Sequence, residues 1–446
     1  GAPRMRMPRA SAVTQNVESS FATRNSVRGT APCGARAHAT KARSGMKARR
    51  DTPQYSRTPG GRLTAAPSFS FHFVRSLPVL FFLLSLPLTA QSSAATRGAP
   101  AGDSSGSPAG VRATALPQLI ASPIVRGLYV NRFAAQSTKR MRALIALADA
   151  TEINAFVIDI KDEFGINYKS ADPAVQRNAG NAGTIGELRA LLDTLRSHKI
   201  LAIARIVVFK DSVTARVNPQ WTIRKADGTA WRDKQGLAWV NPYHRGIWDY
   251  NVRIAEEVVK LGFGEVQFDY IRFPEPYRSL PTQVFPGANG QDKSAALAEF
   301  LTYAKGRIGK LGVRTTADVF GLVTTLANAL EIGQQWEALS SRTDVLLPMV
   351  YPSHYPRGAF NLPRPNAEPY KVVFAAVNRA RERDEKMGIR SAEHVRPWLQ
   401  AFSLGQPSYG PAEIRAQKQA VYDAGYDGWV LWHPGSKYEP FMDGFE

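Results

Sequence analysis

The sequence contains very little cysteine. Cys33 is the only cysteine among 446 residues. This chain therefore cannot form an intramolecular disulfide or a metal site built from several cysteine ligands. Ligand spacings typical of zinc sites and motifs typical of nucleic-acid binding are absent from the sequence as well. A disulfide-stapled scaffold is excluded, so the stability of the folded part must come from a hydrophobic core.

Acidic residues are scarce near the N-terminus. Residues 1–116 contain 16 lysines and arginines but three acids, whereas residues 117–446 contain 41 and 34. The formal net charge of +20 therefore comes mainly from the N-terminal part. A basic tail of this kind is typical of a disordered or targeting segment. The charge does not by itself indicate a nucleic-acid partner, and we expect none.

The N-terminal part has an apolar run, at residues 76–90, that is short for a membrane span of about 20 residues. Arg75 precedes this run and small residues follow it, which is typical of a signal peptide. We predict a disordered basic leader over 1–70, a signal peptide over 71–95, a flexible linker over 96–116, and export to the periplasm or cell exterior. One alternative is an uncleaved membrane anchor at 76–90, and another is an over-extended gene start within the leader.

From about residue 124, short apolar runs alternate with amphipathic stretches. The strand candidates occupy 125–131, 155–161, 200–209, 265–273, 313–321, 344–352, 395–402 and 427–434. Helical patterns include 138–151, 184–199, 246–262 and 411–425, and Thr184 with Glu187 forms a capping-box signature. Eight alternating units predict an α/β fold, a (β/α)8 TIM barrel over 117–446. A doubly wound sheet is the alternative, but its usual Gly-rich loop is missing after the first strand.

The most informative segment is GEVQFDYIRFP, residues 264–274. It reads as a buried strand that contains Asp269, and a carboxylate is costly to bury without a partner or a purpose. Pro274 ends the strand, so Asp269 lies near its carboxyl end, where barrels carry their chemistry. The alternative is an ion pair between Asp269 and Arg272 that only fixes a loop. In a catalytic site, Arg272 would instead keep the Asp269 carboxylate ionised.

Polar and aromatic residues recur at the predicted carboxyl ends of the strands. Carboxylates supply proton and nucleophile chemistry, and aromatic faces stack on sugar rings, so this inventory favours a carbohydrate site. For Asp159 a structural pair with Arg205 is the alternative. Two lone histidines leave a zinc site open, although we predict neither a metal nor a cofactor. The predicted substrate-binding residues are Tyr129, Asn131, Asp159, Lys161, Glu163, Arg205, Arg272, Tyr351, His354, Gln400, Trp432, His433 and, in the long insertion 210–245, Trp239.

The predicted catalytic pair is Asp269 on strand four and Asp318 on strand five. Neighbouring strands run about 5 Å apart. This spacing suits the separation of about 5–5.5 Å between the carboxyl groups of retaining glycosidases. We predict Asp269 as the nucleophile and Asp318 as the general acid/base, in a mechanism that retains the anomeric configuration.

Several segments together resemble the putative glycoside hydrolase domain family of the TIM-barrel glycosidase superfamily. They are GLYVN, FVIDIKDEFG, WVNPYHRGIWDYN, GFGEVQFDYIRFP, TTADVFG, LLPMVYPSHYPRG, VRPWLQAF and GYDGWVLWHP, within about residues 124–440. The resemblance extends to alpha-amylase-like barrels and implies a strand-four aspartate nucleophile, which corresponds to Asp269. Those amylases carry a glutamate on strand five, where this chain has Asp318.

The resulting hypothesis is an exported glycoside hydrolase that acts on a carbohydrate polymer without a cofactor. A non-catalytic carbohydrate-binding barrel is one alternative, since it would keep the aromatic residues without needing both acids. A metal-dependent polysaccharide-modifying enzyme, such as a deacetylase, is another.

Overall fold

The computed structural model describes residues 124–446. The predicted leader, signal peptide and linker, and with them the prediction of export, lie outside these residues. Within residues 124–446, no helix is both long enough and apolar enough to cross a membrane.

Eight parallel strands form a closed barrel. Each strand pairs with the next along the chain, and the last pairs with the first, so the predicted (β/α)8 barrel is confirmed. A two-residue strand, Gly165–Ile166, pairs antiparallel with the end of the second strand. The barrel strands are β1 Arg126–Val130, β2 Ala155–Asp162, β3 Leu201–Val207, β4 Glu265–Asp269, β5 Arg314–Phe320, β6 Val345–Val350, β7 Trp398–Gln400 and β8 Trp429–Trp432.

Ten α-helices lie within the described residues. They are α1 Arg132–Gln136, α2 Thr138–Asp149, α3 Pro173–Gln176, α4 Leu188–Ser197, α5 Ser212–Val217, α6 Arg245–Leu261, α7 Lys293–Ile308, α8 Trp336–Ser340, α9 Pro369–Lys386 and α10 Pro411–Asp423. Short 3-10 helices occupy Pro219–Trp221, Gly309–Leu311, Gly321–Thr324, Pro352–His354, Ala359–Asn361, Pro365–Ala367 and Glu439–Gly444.

Several helix starts follow local sequence signals. Asn131 and Asp292 cap α1 and α7 by accepting a hydrogen bond from a backbone N–H of the first turn. The predicted capping box at Thr184 is wrong, because α4 begins only at Leu188 and its N-cap residue makes no side-chain cap bond. The backbone N–H of Ile185 donates to the Asn167 carbonyl, which holds this segment against the β2 hairpin outside the helix.

Strand β4 shows how the barrel interior is built. Its apolar residues Val266 and Phe268 are fully buried in the core outside the barrel, and Phe268 packs edge-on against Phe300 of α7. The alternate residues Glu265, Gln267 and Asp269 bond to polar side chains of other strands. Because side chains alternate along a strand, these three polar residues share the inner face. A polar axis therefore runs through the barrel and ends at Asp269, at the carboxyl end of the strand.

Candidate active site

Arg205 of β3 is the centre of the polar cluster at the carboxyl end of the barrel. Its Nη1 donates to Asp159 Oδ1 at 2.5 Å, and its Nε donates to Asp269 Oδ2 at 3.1 Å. Asp318 Oδ2 lies 3.9 Å from the same Nε. Burial alone would lower the pKa of Arg205, but the carboxylates of Asp159 and Asp269 raise it well above its usual value. One permanent cation therefore faces three carboxyl groups.

Asp318 of β5 is the most deeply buried of these carboxyl groups. Its Oδ1 accepts hydrogen bonds from Gln267 Nε2 at 2.8 Å and from Trp398 Nε1 at 2.7 Å. Burial, and after it the negative charge of Asp269, raise the pKa of Asp318 well above its usual value. The charge of Arg205 and the hydrogen bonds from Trp398 and Gln267 oppose this shift. A carboxyl group with a raised pKa keeps its proton to a higher pH than a free aspartate does, as a general acid must.

Asp269 ends β4 in an unusual backbone setting. The next residue, Tyr270, has a φ of 52°, in the left-handed region that a non-glycine residue rarely adopts. The Tyr270 N–H donates to Asp269 Oδ1 at 2.5 Å, while Arg205 contacts Oδ2. Both carboxylate oxygens therefore accept hydrogen bonds, which fix the orientation of the carboxylate. Backbone strain of this kind clusters at functional sites.

Asp159 of β2 holds Arg205 in place. The Tyr129 hydroxyl donates to its Oδ2 at 2.6 Å, while its Oδ1 accepts from Arg205. Burial raises the pKa of Asp159, although the charge of Arg205 opposes this shift. The pairing of Asp159 with Arg205 that we considered from the sequence is confirmed, and it makes Asp159 a positioning residue.

An aromatic wall borders the carboxyl cluster on the side of β1, β6, β7 and β8. Tyr129 stacks on Trp432 with ring centroids 5.9 Å apart and an interplanar angle of 21°. Tyr351 and Phe402 also contact Trp432, at 5.7 and 5.3 Å between centroids. Trp432 is half-buried, whereas the other three are buried. The wall thus offers the Trp432 indole as a stacking surface beside the carboxylates.

His354 and Glu163 lie beside this region, whereas His433 lies in the loop after β8 and contacts Tyr438 and Phe441. His354 packs against Tyr351 and Phe402, and burial lowers its pKa to about 4. Burial, with a contribution from Lys437, also lowers the pKa of His433 to about 4. Both imidazoles are neutral near pH 7. Glu163 is half-buried just after β2, and burial raises the pKa of its carboxyl group.

Lys161, Gln400 and Trp239, which we predicted to bind substrate, have structural roles instead. Lys161 is fully buried and pairs with Asp211 at 2.8 Å, because a register shift between Asp159 and Lys161 interrupts the alternation of β2. The Gln400 amide is buried and bonds to the backbone of Ser353 and Phe402. Neither side chain is available for a substrate.

Trp239, the third of these residues, is fully buried and donates its Nε1–H to Asp233 at 2.9 Å. Antiparallel bridges such as Thr222 with Val240 close the insertion on itself. Trp231 is fully buried there as well. The tryptophans at 231 and 239 therefore form the core of the loop, and Trp239 cannot stack on a substrate as we predicted.

Asn131 and Arg272 also serve the scaffold. The Asn131 side chain caps α1 and donates to the Pro434 carbonyl, which joins the loops after β1 and β8. Arg272 pairs with Glu275 at 3.1 Å and lies over the rings of Trp239 and Tyr270. The charge that opposes Asp269 comes from Arg205, so the ion-pair role that we predicted for Arg272 belongs to Arg205 instead.

Sequence reasoning missed three side chains of the site, Gln267, Trp398 and Phe402. Gln267 and Trp398 bond to Asp318, and Phe402 is part of the aromatic wall. Gln267 and Asp269 are two residues apart on one strand, so strand periodicity could have placed them on the same face. Trp398 and Phe402 offered no such signal, because the contacts that define them come from closure of the barrel.

Within residues 124–446, no group of three or more His, Cys, Asp or Glu residues is arranged to hold a metal ion. The carboxyl groups around Arg205 are therefore organised by an arginine, in an arrangement suited to proton transfer and nucleophilic attack. The Oδ2 atoms of Asp269 and Asp318 lie 3.1 and 3.9 Å from one nitrogen atom, so they are at most about 7 Å apart.

Comparison with known proteins places this barrel among glycosidases. A family model described as "Putative glycosyl hydrolase domain" matches residues 127–438. A hypothetical protein from Ruminiclostridium thermocellum is 36% identical over 43% of this chain and 97% of its own, with a TM-score of 0.39. A search of curated protein sequences finds no match.

Two more distant solved structures are similar to this chain, and the first shares its architecture. The glycoside hydrolase domain of PgaB (BpsB) from Bordetella bronchiseptica is 16% identical over 73% of this chain and 99% of its own, with a TM-score of 0.53. An exo beta-N-acetylglucosaminidase from Vibrio harveyi is 15% identical over 70% of this chain and 50% of its own, with a TM-score of 0.45. At 16% identity, the likeness to the PgaB (BpsB) domain concerns the fold alone.

Proposed function

The chain belongs to the Putative glycosyl hydrolase domain family, and from that premise we propose that it is an exported hydrolase that cleaves glycosidic bonds in a polysaccharide with two carboxyl groups. The observation that carries the proposal is the unequal environment of two acids around one cation. Arg205 Nε lies 3.1 Å from Asp269 Oδ2 but 3.9 Å from Asp318 Oδ2, and burial and the charge of Asp269 raise the pKa of Asp318. Glycoside hydrolysis needs one ionised and one protonated carboxyl group.

In the proposed mechanism, Asp269 attacks the anomeric carbon while Asp318 donates its proton to the departing glycosidic oxygen. This step forms a covalent glycosyl ester on Asp269 and releases the leaving sugar as an alcohol. Asp318 then removes a proton from a water molecule, which attacks the anomeric carbon and frees Asp269. The surplus of negative charge around Arg205 suits the oxocarbenium-like transition state of each step, because that state carries positive charge.

The expected outcome is retention of the anomeric configuration. Inverting enzymes hold their carboxyl groups about 6.5–9.5 Å apart to admit a water molecule, whereas retaining enzymes hold them at about 5–5.5 Å. The upper bound of about 7 Å between the Asp269 and Asp318 oxygens lies near the lower edge of the inverting range. Their pairing on neighbouring strands β4 and β5 favours the shorter separation.

Export is the part of the proposal that depends on the sequence alone. It is supported by the apolar run at 76–90, preceded by Arg75 and followed by small residues. Expression of the full chain, followed by fractionation and N-terminal sequencing of the product, tests it. A mature protein beginning near residue 96 outside the cytoplasm is expected, and an intact cytoplasmic chain would contradict export.

Hydrolysis is tested with soluble starch, hydroxyethyl cellulose and glycol chitin as a first panel. We expect the wild-type protein to release reducing ends from at least one polymer and Asp269→Asn to lose at least about 10⁴-fold in kcat, the scale seen when a nucleophile is removed. Asp193→Asn is the matched control, because Asp193 lies exposed on α4, away from the carboxyl cluster. This control should behave as wild type.

The same panel separates the enzyme from a carbohydrate-binding protein. Asp269→Asn that still binds the hydrolysed polymer supports catalysis by this residue, because only the chemical step is removed. Wild-type protein that binds a polymer but releases no reducing ends would support the non-catalytic barrel and contradict the proposed hydrolase.

A further inference from the structure

Two phenylalanines are exposed at the mouth of the barrel. Phe133 is 74% exposed and Phe164 is 51% exposed, the two highest values among large apolar side chains within residues 124–446. A phenylalanine exposed to this extent gains only part of the burial energy of about 1.5–3 kcal/mol that such a side chain contributes inside a protein. Burial therefore does not explain why these two positions carry phenylalanine.

Both residues stand beside the candidate active site. Phe133 lies in α1, four residues after Tyr129, and Phe164 lies at the tip of the hairpin that extends β2, five residues after Asp159. Tyr129 and Asp159 are bonded to each other within the site. The two phenylalanines thus follow neighbouring strands, β1 and β2, at the carboxyl end of the barrel, which is the end that carries the carboxyl cluster.

One arginine locks the two exposed segments together. Arg132, adjacent to Phe133, pairs with Asp162 through both oxygens, at 2.6 and 2.8 Å. The Phe164 N–H donates to Asp162 Oδ1 at 2.9 Å. A single carboxylate therefore ties the backbone of Phe164 to the Arg132 guanidinium.

Glycines fix the far side of the hairpin. Gly165 has a φ of 113° and Gly180 a φ of 78°, both in the left-handed region. A Cβ atom at Gly165 would overlap the Ala179 carbonyl, and one at Gly180 would overlap the Phe164 carbonyl. The close contact between these backbones needs glycine at both positions. The exposed rings are consequently carried on a fixed platform instead of a loose loop.

We infer that Phe133 and Phe164 form a rim subsite that stacks on a sugar unit of a polymeric substrate, beyond the unit cleaved at Asp269. Aromatic faces recognise the C–H face of pyranose rings without needing charge, and a pre-ordered pair lowers the entropy cost of binding. This inference rests on the proposed function and deepens it, because it predicts preference for chains over single-sugar glycosides.

The test uses the full chain and affinity electrophoresis in gels that contain soluble starch, hydroxyethyl cellulose or glycol chitin. We expect at least one polymer to retard the wild-type protein and the double variant Phe133→Ser/Phe164→Ser to lose about tenfold in affinity. The double variant Phe133→Trp/Phe164→Trp should bind as wild type, since it keeps the aromatic faces. Tyr370→Ala is the control, because Tyr370 is also an exposed aromatic but lies on α9, across the barrel.

Measuring kcat/KM on a polymer and on a single-sugar glycoside distinguishes this inference from the proposed function. The serine double variant should lose about tenfold in kcat/KM on the polymer and keep its kcat/KM on a p-nitrophenyl monosaccharide. Equal losses on both substrates, or no loss of polymer binding, would overturn the rim subsite. Retardation that depends on both phenylalanines without any hydrolysis would uphold the rim subsite and reject the proposed hydrolase.

Two further outcomes would also overturn it. One is a wild-type protein that none of the three polymers retards. The other is a wild-type dimer that the serine double variant converts to a monomer in size-exclusion chromatography, which would assign the rim to contact with a second copy of the chain.

Discussion

The two ends of strand β4 carry the same kind of side chain in opposite circumstances. At its start, Glu265 is buried and pairs with Arg396 through both oxygens, at 2.6 and 3.2 Å. At its end, Asp269 shares Arg205 with two other carboxyl groups. These positions lie on the same face of the strand, about 13 Å apart along it.

The balance of charge differs between the two ends of β4, and we take the start to serve the stability of the barrel and the end to serve its chemistry. The pair at the start of β4 is balanced, with one cation for one carboxylate. The cluster at its end has three carboxyl groups for one cation, and burial raises the pKa of Asp318 and Asp159 there. A surplus of carboxyl groups has no structural benefit, because each costs desolvation energy that a single arginine cannot offset. Barrels also place catalysis at the carboxyl ends of their strands.

After Asp269→Asn, the largest effect is expected from Asp318→Asn, which removes the proposed general acid. The loss in kcat/KM should be about 10²–10⁴-fold, the range for general acid catalysis. Because burial and the charge of Asp269 raise the pKa of Asp318, activity in the wild type should fall as pH rises through that pKa and the proton is lost. A pH profile of kcat/KM should lose this alkaline limb in the variant. An unchanged limb would assign the acid to another residue.

Arg205→Met tests the centre of the cluster. Removing the arginine that pairs with the buried carboxylates of Asp159 and Asp269 should destabilise the protein by about 3–5 kcal/mol and also reduce kcat/KM. Urea unfolding monitored by fluorescence measures the first effect. Arg205→Lys is the conservative control, and it should recover stability in part, since lysine supplies charge without the guanidinium fork. Full activity in Arg205→Met would reject the role of the cluster.

Arg396→Met makes the same change at the other end of the barrel. It leaves Glu265 buried without its cation, so a similar loss of about 3–5 kcal/mol in unfolding free energy is expected. The kcat/KM of the folded variant should stay close to wild type. Adding Glu265→Leu should restore much of the stability, because a buried ion pair can be replaced by apolar residues. A large loss of activity in Arg396→Met, measured where the protein is folded, would contradict the distinction between the two ends.

Tyr129→Phe should have the smallest effect. It removes one hydrogen bond to the Asp159 carboxylate, and such bonds contribute about 1.5–3 kcal/mol to stability. The ring keeps its stacking on Trp432, so binding of the polymer should persist. Unfolding curves and KM values measured together test this expectation. A rise in KM without loss of stability would instead mean that the hydroxyl contacts the substrate.

The fold followed from the sequence because its signals are local. Each barrel strand is a short apolar run between helical patterns, and eight such runs sufficed to predict the barrel. The placement of Asp269 at the end of β4 and of Asp318 on the neighbouring strand followed from this order. The end of β4 was predicted four residues too late, because the positive φ of Tyr270 interrupts the strand. The amino-acid composition of this segment does not indicate such a backbone conformation.

The site was harder to predict because its contacts are not local. Strand alternation would place Lys161 on the same face as Asp159, but a register shift between them turns Lys161 toward Asp211. Arg205 is the shared partner of three acids because the fold places β2, β4 and β5 around it, and only the structure shows that arrangement. The burial of Trp239 likewise depends on bridges that close its loop.

The most direct test of the catalytic cluster is to trap its covalent intermediate. A fluorinated, activated glycoside of the sugar identified by the polysaccharide panel would form the glycosyl ester and slow its hydrolysis. Peptide mass spectrometry should then find the sugar attached to Asp269. An adduct on a different residue, or turnover to the inverted anomer without any adduct, would contradict the account of Asp269 as the nucleophile held by Arg205.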